Sequence, residues 1–222
     1  MAERITISQF HAAEGAGEWR ILGDGAYTFF ETGTFARGAA LVQAIAAIPG
    51  LTPHQPDVDL RHDGVTVRLI SIADDYYGMT TRDVELARQI SAAAHELGLH
   101  GDPFAVQTTT IVPGAVLPAA VMPFWRAILG YELRADNPTE DLIDPRHRNP
   151  SFWLERMEQP RADGNGSIHV AVWVPIEKAQ ARVDAALAAG GHIVRDDFAP
   201  AWWTLADRFG NEADVATAEH RD

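Results

Sequence analysis

The chain predicts an α+β protein of two domains, and three observations carry that expectation. Residues 167–217 read as a strand, a helix and three further strands. Residues 104–158 repeat that order of elements without repeating its sequence. Residues 17–98, which end at a Gly-rich break, instead suggest an antiparallel sheet with helices on one face.

Taken in order, residues 1–16 are polar and rich in Gly and Ala, and are expected to be a flexible lead-in. Trp19–Leu22 and Ala26–Glu31 predict a hairpin around Gly23-Asp24-Gly25. From Thr34 the apolar spacing becomes helical through Phe35, Leu41, Val42, Ile45 and Ile48, stopping at Pro49-Gly50. The rigid segment Pro53-His54-Gln55-Pro56 leads to strands over Asp57–Leu60 and Val65–Ile72. A helix follows over Thr81–Leu97, where Thr80 and Asp83 have the spacing of a capping box. Residues 99–103 are the expected linker between a domain at 17–98 and one at 104–218.

In the second domain, Phe104–Val112 predicts a strand and Leu117–Leu129 a helix that Pro118 and Pro123 interrupt early. Tyr131–Ala135 and Ser151–Glu158 predict strands on either side of a polar loop, Asp136–Pro150. The alternation in residues 167–174 puts His169, Ala171 and Trp173 on one face. Pro175 opens a helix that closes at Gly190-Gly191. His192–Arg195, Trp202–Ala206 and Glu212–Thr217 complete the set, leaving a histidine on the first strand and Asp214 on the last.

Composition narrows the function. With 222 residues and 46% hydrophobic content the chain can bury a sizeable core. A formal charge of −13 and a single lysine, Lys178, argue against a nucleic-acid partner, which needs cations to neutralise phosphates. No apolar run is long enough to predict a membrane span. The absence of cysteine removes thiolate nucleophiles and thiolate metal sites and, with no export segment in view, makes the cytoplasm the expected location.

Residues 104–218 resemble the glyoxalase-like (vicinal oxygen chelate) superfamily. The matching pieces are Phe124-Trp125-x3-Leu129-Gly130, His169, and Leu205-Ala206-Asp207-x2-Gly210-Asn211. The resemblance implies paired β-α-β-β-β units forming a curved, cup-like sheet around a small-molecule pocket. It also implies a divalent cation held by Gln107, Glu155, His169 and Asp214, with Glu155 or Asp214 free to move a proton instead. A cation with such N and O ligands would polarise a carbonyl and stabilise an enediolate, in lyase, isomerase or dioxygenase chemistry. A metal-free cup that only binds or sequesters its ligand is the alternative. Trp125, Trp173 and Trp203 are candidates to stack on a flat substrate.

Residues 17–98 resemble the pterin-4a-carbinolamine dehydratase family, through Phe29-Phe30, Phe35, Pro53-His54-Gln55-Pro56 and Gly78-Met79-Thr80-x2-Asp83-x2-Leu86-Ala87. The resemblance implies acid–base loss of the 4a-hydroxyl group from 4a-hydroxytetrahydrobiopterin, with His54 and Gln55 as the catalytic candidates. The family's second histidine is replaced by Gln55 and its third by Ile72. Glutamine cannot shuttle a proton near neutral pH, and isoleucine has none to give. His62 is the nearby substitute. Both resemblances imply a homo-oligomer.

Overall fold

The computed structural model describes residues 2–52, 54–73, 75–159, 168–206 and 212–220, apart from the side chains of Phe124, Ala127 and Ile128. These residues fall into two compact units. One is centred on residues up to Ile72 together with Tyr77–Val106, the other on Ala73–Tyr76 and Gln107–His220.

The first unit contains β1 (Arg4–Ile5), α1 (Ile7–Ala12), β2 (Arg20–Leu22), β3 (Gly25–Glu31), α2 (Phe35–Ala46), β4 (Asp57–Leu60), β5 (Gly64–Leu69), β6 (Ser71–Ala73), β7 (Tyr76–Thr80), α3 (Thr81–Glu96) and β8 (Gly101–Asp102). One antiparallel sheet has the order β2-β3-β5-β4 with β8 added to β3, and a smaller one has the order β1-β7-β6. Leu41 and Ile45 of α2, Leu86 and Ile90 of α3, and Val65, Val67 and Leu69 of β5 form its core, each 2% exposed or less. Burying each such aliphatic side chain is worth about 1.5–3 kcal/mol.

Three sequence expectations are corrected here. Residues 4–12, expected to be a lead-in, form β1 and α1, because Phe10 is fully buried and a Thr6/Gln9 capping box closes the helix start. The linker at 99–103 contains β8, whose Gly101 and Asp102 pair with Phe30 and Phe29 of β3. Phe35, expected in the apolar stripe of α2, is 59% exposed. The close seat belongs to Gly38, where a Cβ would lie 2.4 Å from the Leu60 side chain, so glycine is what lets α2 settle onto β4 and β5.

The second unit contains β9 (Thr108–Ala115), α4 (Pro118–Leu129), β10 (Glu132–Leu133), β11 (Asp141–Ile143), β12 (Ser151–Trp153), β13 (Glu155–Arg156), β14 (Ile168–Trp173), α5 (Ile176–Ala188), β15 (His192–Arg195), β16 (Trp202–Ala206) and β17 (Glu212–Ala216). Its sheet has the order β10-β11-β12-β9-β14-β17-β16-β15, with β13 also on β9. Each half is a β-α-β-β-β unit whose first strand runs parallel to its last, and the two first strands, β9 and β14, pair antiparallel at the centre. The expected polar loop at 136–150 contains β11. The interruption expected in the helix before it does not occur, since Pro118 occupies the start of α4 and the helix runs on through Pro123. The segment Asp207–Asn211, which carried part of the glyoxalase-like resemblance, lies outside the described residues, as does Pro53.

One face of this sheet is covered by helices. Phe152, Leu142 and Leu154 pack with Met122, Trp125 and Leu129, and Val215 and Leu205 pack with Ala179 and Val183 of α5. The other face carries the polar residues that form the site.

Candidate functional site

Strand register determines what shares the polar face. On β14, His169, Ala171 and Trp173 lie opposite Val112, Thr110 and Thr108 of β9. On the other side Ala171 meets Asp214 of β17, which in turn lies opposite Thr204 of β16. Directly paired residues point to the same face, so His169, Asp214, Thr204 and Glu155 of β13 converge by alternation alone. His169, Thr204 and Glu155 border a cavity of about 380 Å³ that Arg195 and Glu212 also help to line, with Asp214 behind His169.

At the base of this face the His169 Nε2 lies 3.2 Å from Asp214 Oδ2, with side-chain exposures of only 10% and 13%. Burial works against charging the imidazole. The hydrogen bond to Asp214 and the negative charges of Asp214, Glu155 and Glu212 outweigh it, and the His169 pKa is raised. Among the described residues, the buried Asp214 Oδ1 has no hydrogen-bond partner. The pair is therefore a proton-holding group beside a polar cavity. Next to it Trp173 donates to Thr110 Oγ1 at 3.1 Å, and the Thr110 and Ser151 hydroxyls are 3.0 Å apart.

Other sequence candidates fall elsewhere. Gln107 precedes β9 and accepts a hydrogen bond from Arg182 of α5 at 3.0 Å. It stands five residues from Val112, the partner of His169, or roughly 17 Å along an extended strand, so it is not a ligand beside His169. Trp125 packs at a tilt on Phe152, with ring centres 5.0 Å apart, and Trp203 packs against the α5 cluster, which places both on the helix-covered face rather than in a pocket. Trp173 is on the site face but 8% exposed, with its indole N–H already engaged.

Among the described residues, the one group of three His, Asp or Glu side chains whose donor atoms all lie within 4.8 Å of one another is Glu18–His95–His100, in the first unit. His169, Glu155 and Asp214 do not close in this way and do not fit a cation as a three-ligand set.

The first unit holds a second histidine–aspartate pair. His54 Nε2 donates to Asp83 Oδ1 at 2.7 Å. The other carboxylate oxygen accepts from the Thr80 N–H, the Thr80 hydroxyl and the Ser71 hydroxyl at 2.7, 2.8 and 2.7 Å. Asp83 is fully buried. Burial raises the cost of its charge, but the hydrogen bonds from His54, Ser71 and the Thr80 backbone prevail and hold the carboxyl below its ordinary value. Gln55 is exposed, Ile72 is 46% exposed and the His62 side chain is 90% exposed beside Asp63, so none of the three joins this pair.

Sequence reasoning passed over Asp83 and Ser71 as partners of His54, and Glu212 as a neighbour of His169. Asp83 had a signal, since a capping acid at a helix start is an ordered carboxylate that a nearby histidine can use. Glu212 had the period-two spacing to Asp214 on one strand.

A fold of this kind, with a polar pocket on one sheet face and an oriented histidine in each unit, defines a small-molecule-binding α+β protein. The family of pterin 4 alpha carbinolamine dehydratase matches residues 4–93, and a glyoxalase-like domain family matches residues 110–216. Two proteins named "Putative pterin-4-alpha-carbinolamine dehydratase" are similar to the first unit. The one from Nocardia farcinica is 32% identical over 83 residues, covering 37% of this chain and 85% of that protein. The one from Acidobacterium capsulatum is 32% identical over 74 residues, covering 33% and 78%. The chain belongs to the pterin-4a-carbinolamine dehydratase family through its first unit and continues into a glyoxalase-like domain.

Among solved structures, an NAD-dependent benzaldehyde dehydrogenase from Legionella pneumophila aligns with a TM-score of 0.36 at 9% identity, over 49% of this chain and 97% of that one. A glyoxalase/bleomycin resistance protein/dioxygenase superfamily member from Vibrio splendidus 12B01 aligns with a TM-score of 0.32 at 14% identity, over 50% and 99%. Likenesses of this extent carry no functional weight.

Proposed function

We propose that the glyoxalase-like unit binds a small polar organic compound in the His169 cavity and moves a proton on it, as a lyase or isomerase. The observation that carries this reading is the buried His169–Asp214 pair at the edge of a polar cavity that also holds Glu155. His169, whose pKa its acidic surroundings raise against the effect of burial, delivers a proton to a carbonyl or hydroxyl oxygen. Glu155 removes one from the adjacent carbon, and the cavity keeps the two groups on one substrate. Arg195 on the same wall offers a countercharge to an acidic substrate. A cytoplasmic homo-oligomer belongs to this reading.

The test is deuterium incorporation from D2O into small 2-hydroxy and 2-oxo compounds, followed by proton NMR. We expect exchange at the carbon next to the carbonyl, falling at least about 10²-fold in His169→Ala and Glu155→Gln, the lower end of what a positioned acid or base contributes. Compounds that bind in the cavity without exchange would overturn it in favour of a binding or sequestering protein.

The His54–Asp83 pair favours a second reading, in which the first unit dehydrates a 4a-hydroxytetrahydropterin. Asp83 orients His54, and the imidazole assists departure of the hydroxyl group. In a spectrophotometric dehydration assay His54→Ala is expected to lose roughly 10²-fold or more, and Asp83→Asn a substantial part of that. A rate that ignores His54→Ala would end this reading.

A further inference from the structure

We infer that Glu18, His95 and His100 form a binding site for a borderline divalent cation of the Zn2+ type, separate from both histidine–aspartate pairs. The three side chains come from three parts of the first unit. Glu18 precedes β2, His95 is in the last turn of α3, and His100 lies between α3 and β8. Glu18 Oε1 is 2.9 Å from His95 Nε2 and 3.6 Å from His100 Nδ1, and one donor atom from each residue lies within 4.8 Å of the others. Zinc bonds of 2.0–2.1 Å in a tetrahedron separate donor atoms by about 3.4 Å, which these distances bracket. Two imidazoles and a carboxylate are a donor set that such cations accept, with the fourth position left to water.

The surroundings hold this set in place. Trp19, beside Glu18, is fully buried and donates its indole N–H to Ser91 Oγ of α3 at 3.1 Å. Gly98, at a φ of +67°, turns the chain back so that the Leu99 N–H reaches the Ala94 carbonyl at 2.9 Å, which brings His100 beside His95 with ring centres 4.7 Å apart. Gly101 keeps the approach open, since a Cβ there would lie 3.2 Å from Glu18 Oε2 and 2.4 Å from Thr28 Oγ1. Among the described residues, the buried Glu18 Oε2 has no hydrogen-bond partner. A cation would neutralise that carboxylate, whose other oxygen faces the two imidazoles.

A metal held by three separated segments ties the end of α3 to the strands on either side of it, and so stabilises the folded unit by binding it alone. The experiment titrates the full-length protein with Zn2+ by calorimetry and by thermal unfolding, and with Co2+ by visible absorption. We expect one site per first unit, a raised unfolding temperature, and a tetrahedral Co2+ spectrum.

In His95→Gln with His100→Gln, whose side chains are 45% and 76% exposed in the parent, the metal-free protein should melt as before. Its Zn2+ affinity should fall by at least roughly the tenfold that loss of even an outer-shell partner costs. His169→Ala should leave the site intact. Zn2+ binding that survives in the double variant, or a parent protein with no stoichiometric Zn2+ site, overturns the inference.

Discussion

His169 and Asp83 place opposite pH dependences in one chain. The His169 pKa is raised in the folded state, so its pairing with Asp214 contributes full stability below the ordinary imidazole value near 6.5 and loses it as pH rises through the folded value. In Asp214→Asn the main opposing charge is gone and burial dominates, so the His169 pKa should drop and that loss above pH 6.5 should vanish. An NMR titration of the His169 ring with urea midpoints across the same pH range checks both, and an unmoved ring titration would refute the pairing. Asp83 works the other way. Its lowered pKa means a contribution present above the ordinary carboxylate value, near 3.9, and lost as pH falls through the folded value. Asp83→Asn should flatten the acid limb of the same urea curve and leave the region above pH 6.5 as it was.

At the scale of elements, β9 shows how a strand can be read correctly in kind and wrongly in extent. Pro113-Gly114 looks like a stop in the sequence, yet β9 runs through both to Ala115. Pro113 sits between the Phe152–Ile111 and Glu155–Gly114 pairs, in the gap of the parallel ladder, where its missing N–H is not needed. Gly114 is there because Met157 crosses over it. A Cβ at 114 would lie 2.2 Å from the Met157 sulfur, and Met157 lines the cavity. Gly114→Ala should therefore cost about 1–3 kcal/mol by overpacking, and adding Met157→Ala should recover part of it. Urea unfolding of the single and double variants measures the coupling, and strictly additive effects would contradict the contact. The helices were easier to read, because apolar spacing and start signals are local. Three still misled: α1, only six residues long, lay within the expected lead-in, α4 runs on through Pro123, and in α2 an exposed Phe35 and a buried Gly38 reverse the usual preference.

Across the whole molecule, the longer strands and helices were legible because their apolar spacing is local, whereas the short β1, α1, β8 and β11 are settled by burial and pairing. What brings side chains together was legible only where it depends on period two. His169, Glu155 and Asp214 reach one face by alternation, and the sequence shows alternation directly. Gln107, Trp125 and Trp203 failed as site candidates for other reasons: Gln107 lies before β9 and is held by Arg182, Trp125 is on the packed side of α4, and Trp203 is on the sheet face that α5 covers, which is settled by long-range packing. The three residues round Glu18 come from distant segments, and only the fold reveals them. The paired β-α-β-β-β units also differ in what they offer across the central β9–β14 seam. The first half presents the paired hydroxyls of Thr110 and Ser151 and, further along, the carboxylate of Glu155, while the second presents the His169–Asp214 pair. A repeated order of elements thus carries different chemistry on the two sides of one seam, because the frame dictates which positions face the cavity and leaves open what stands there.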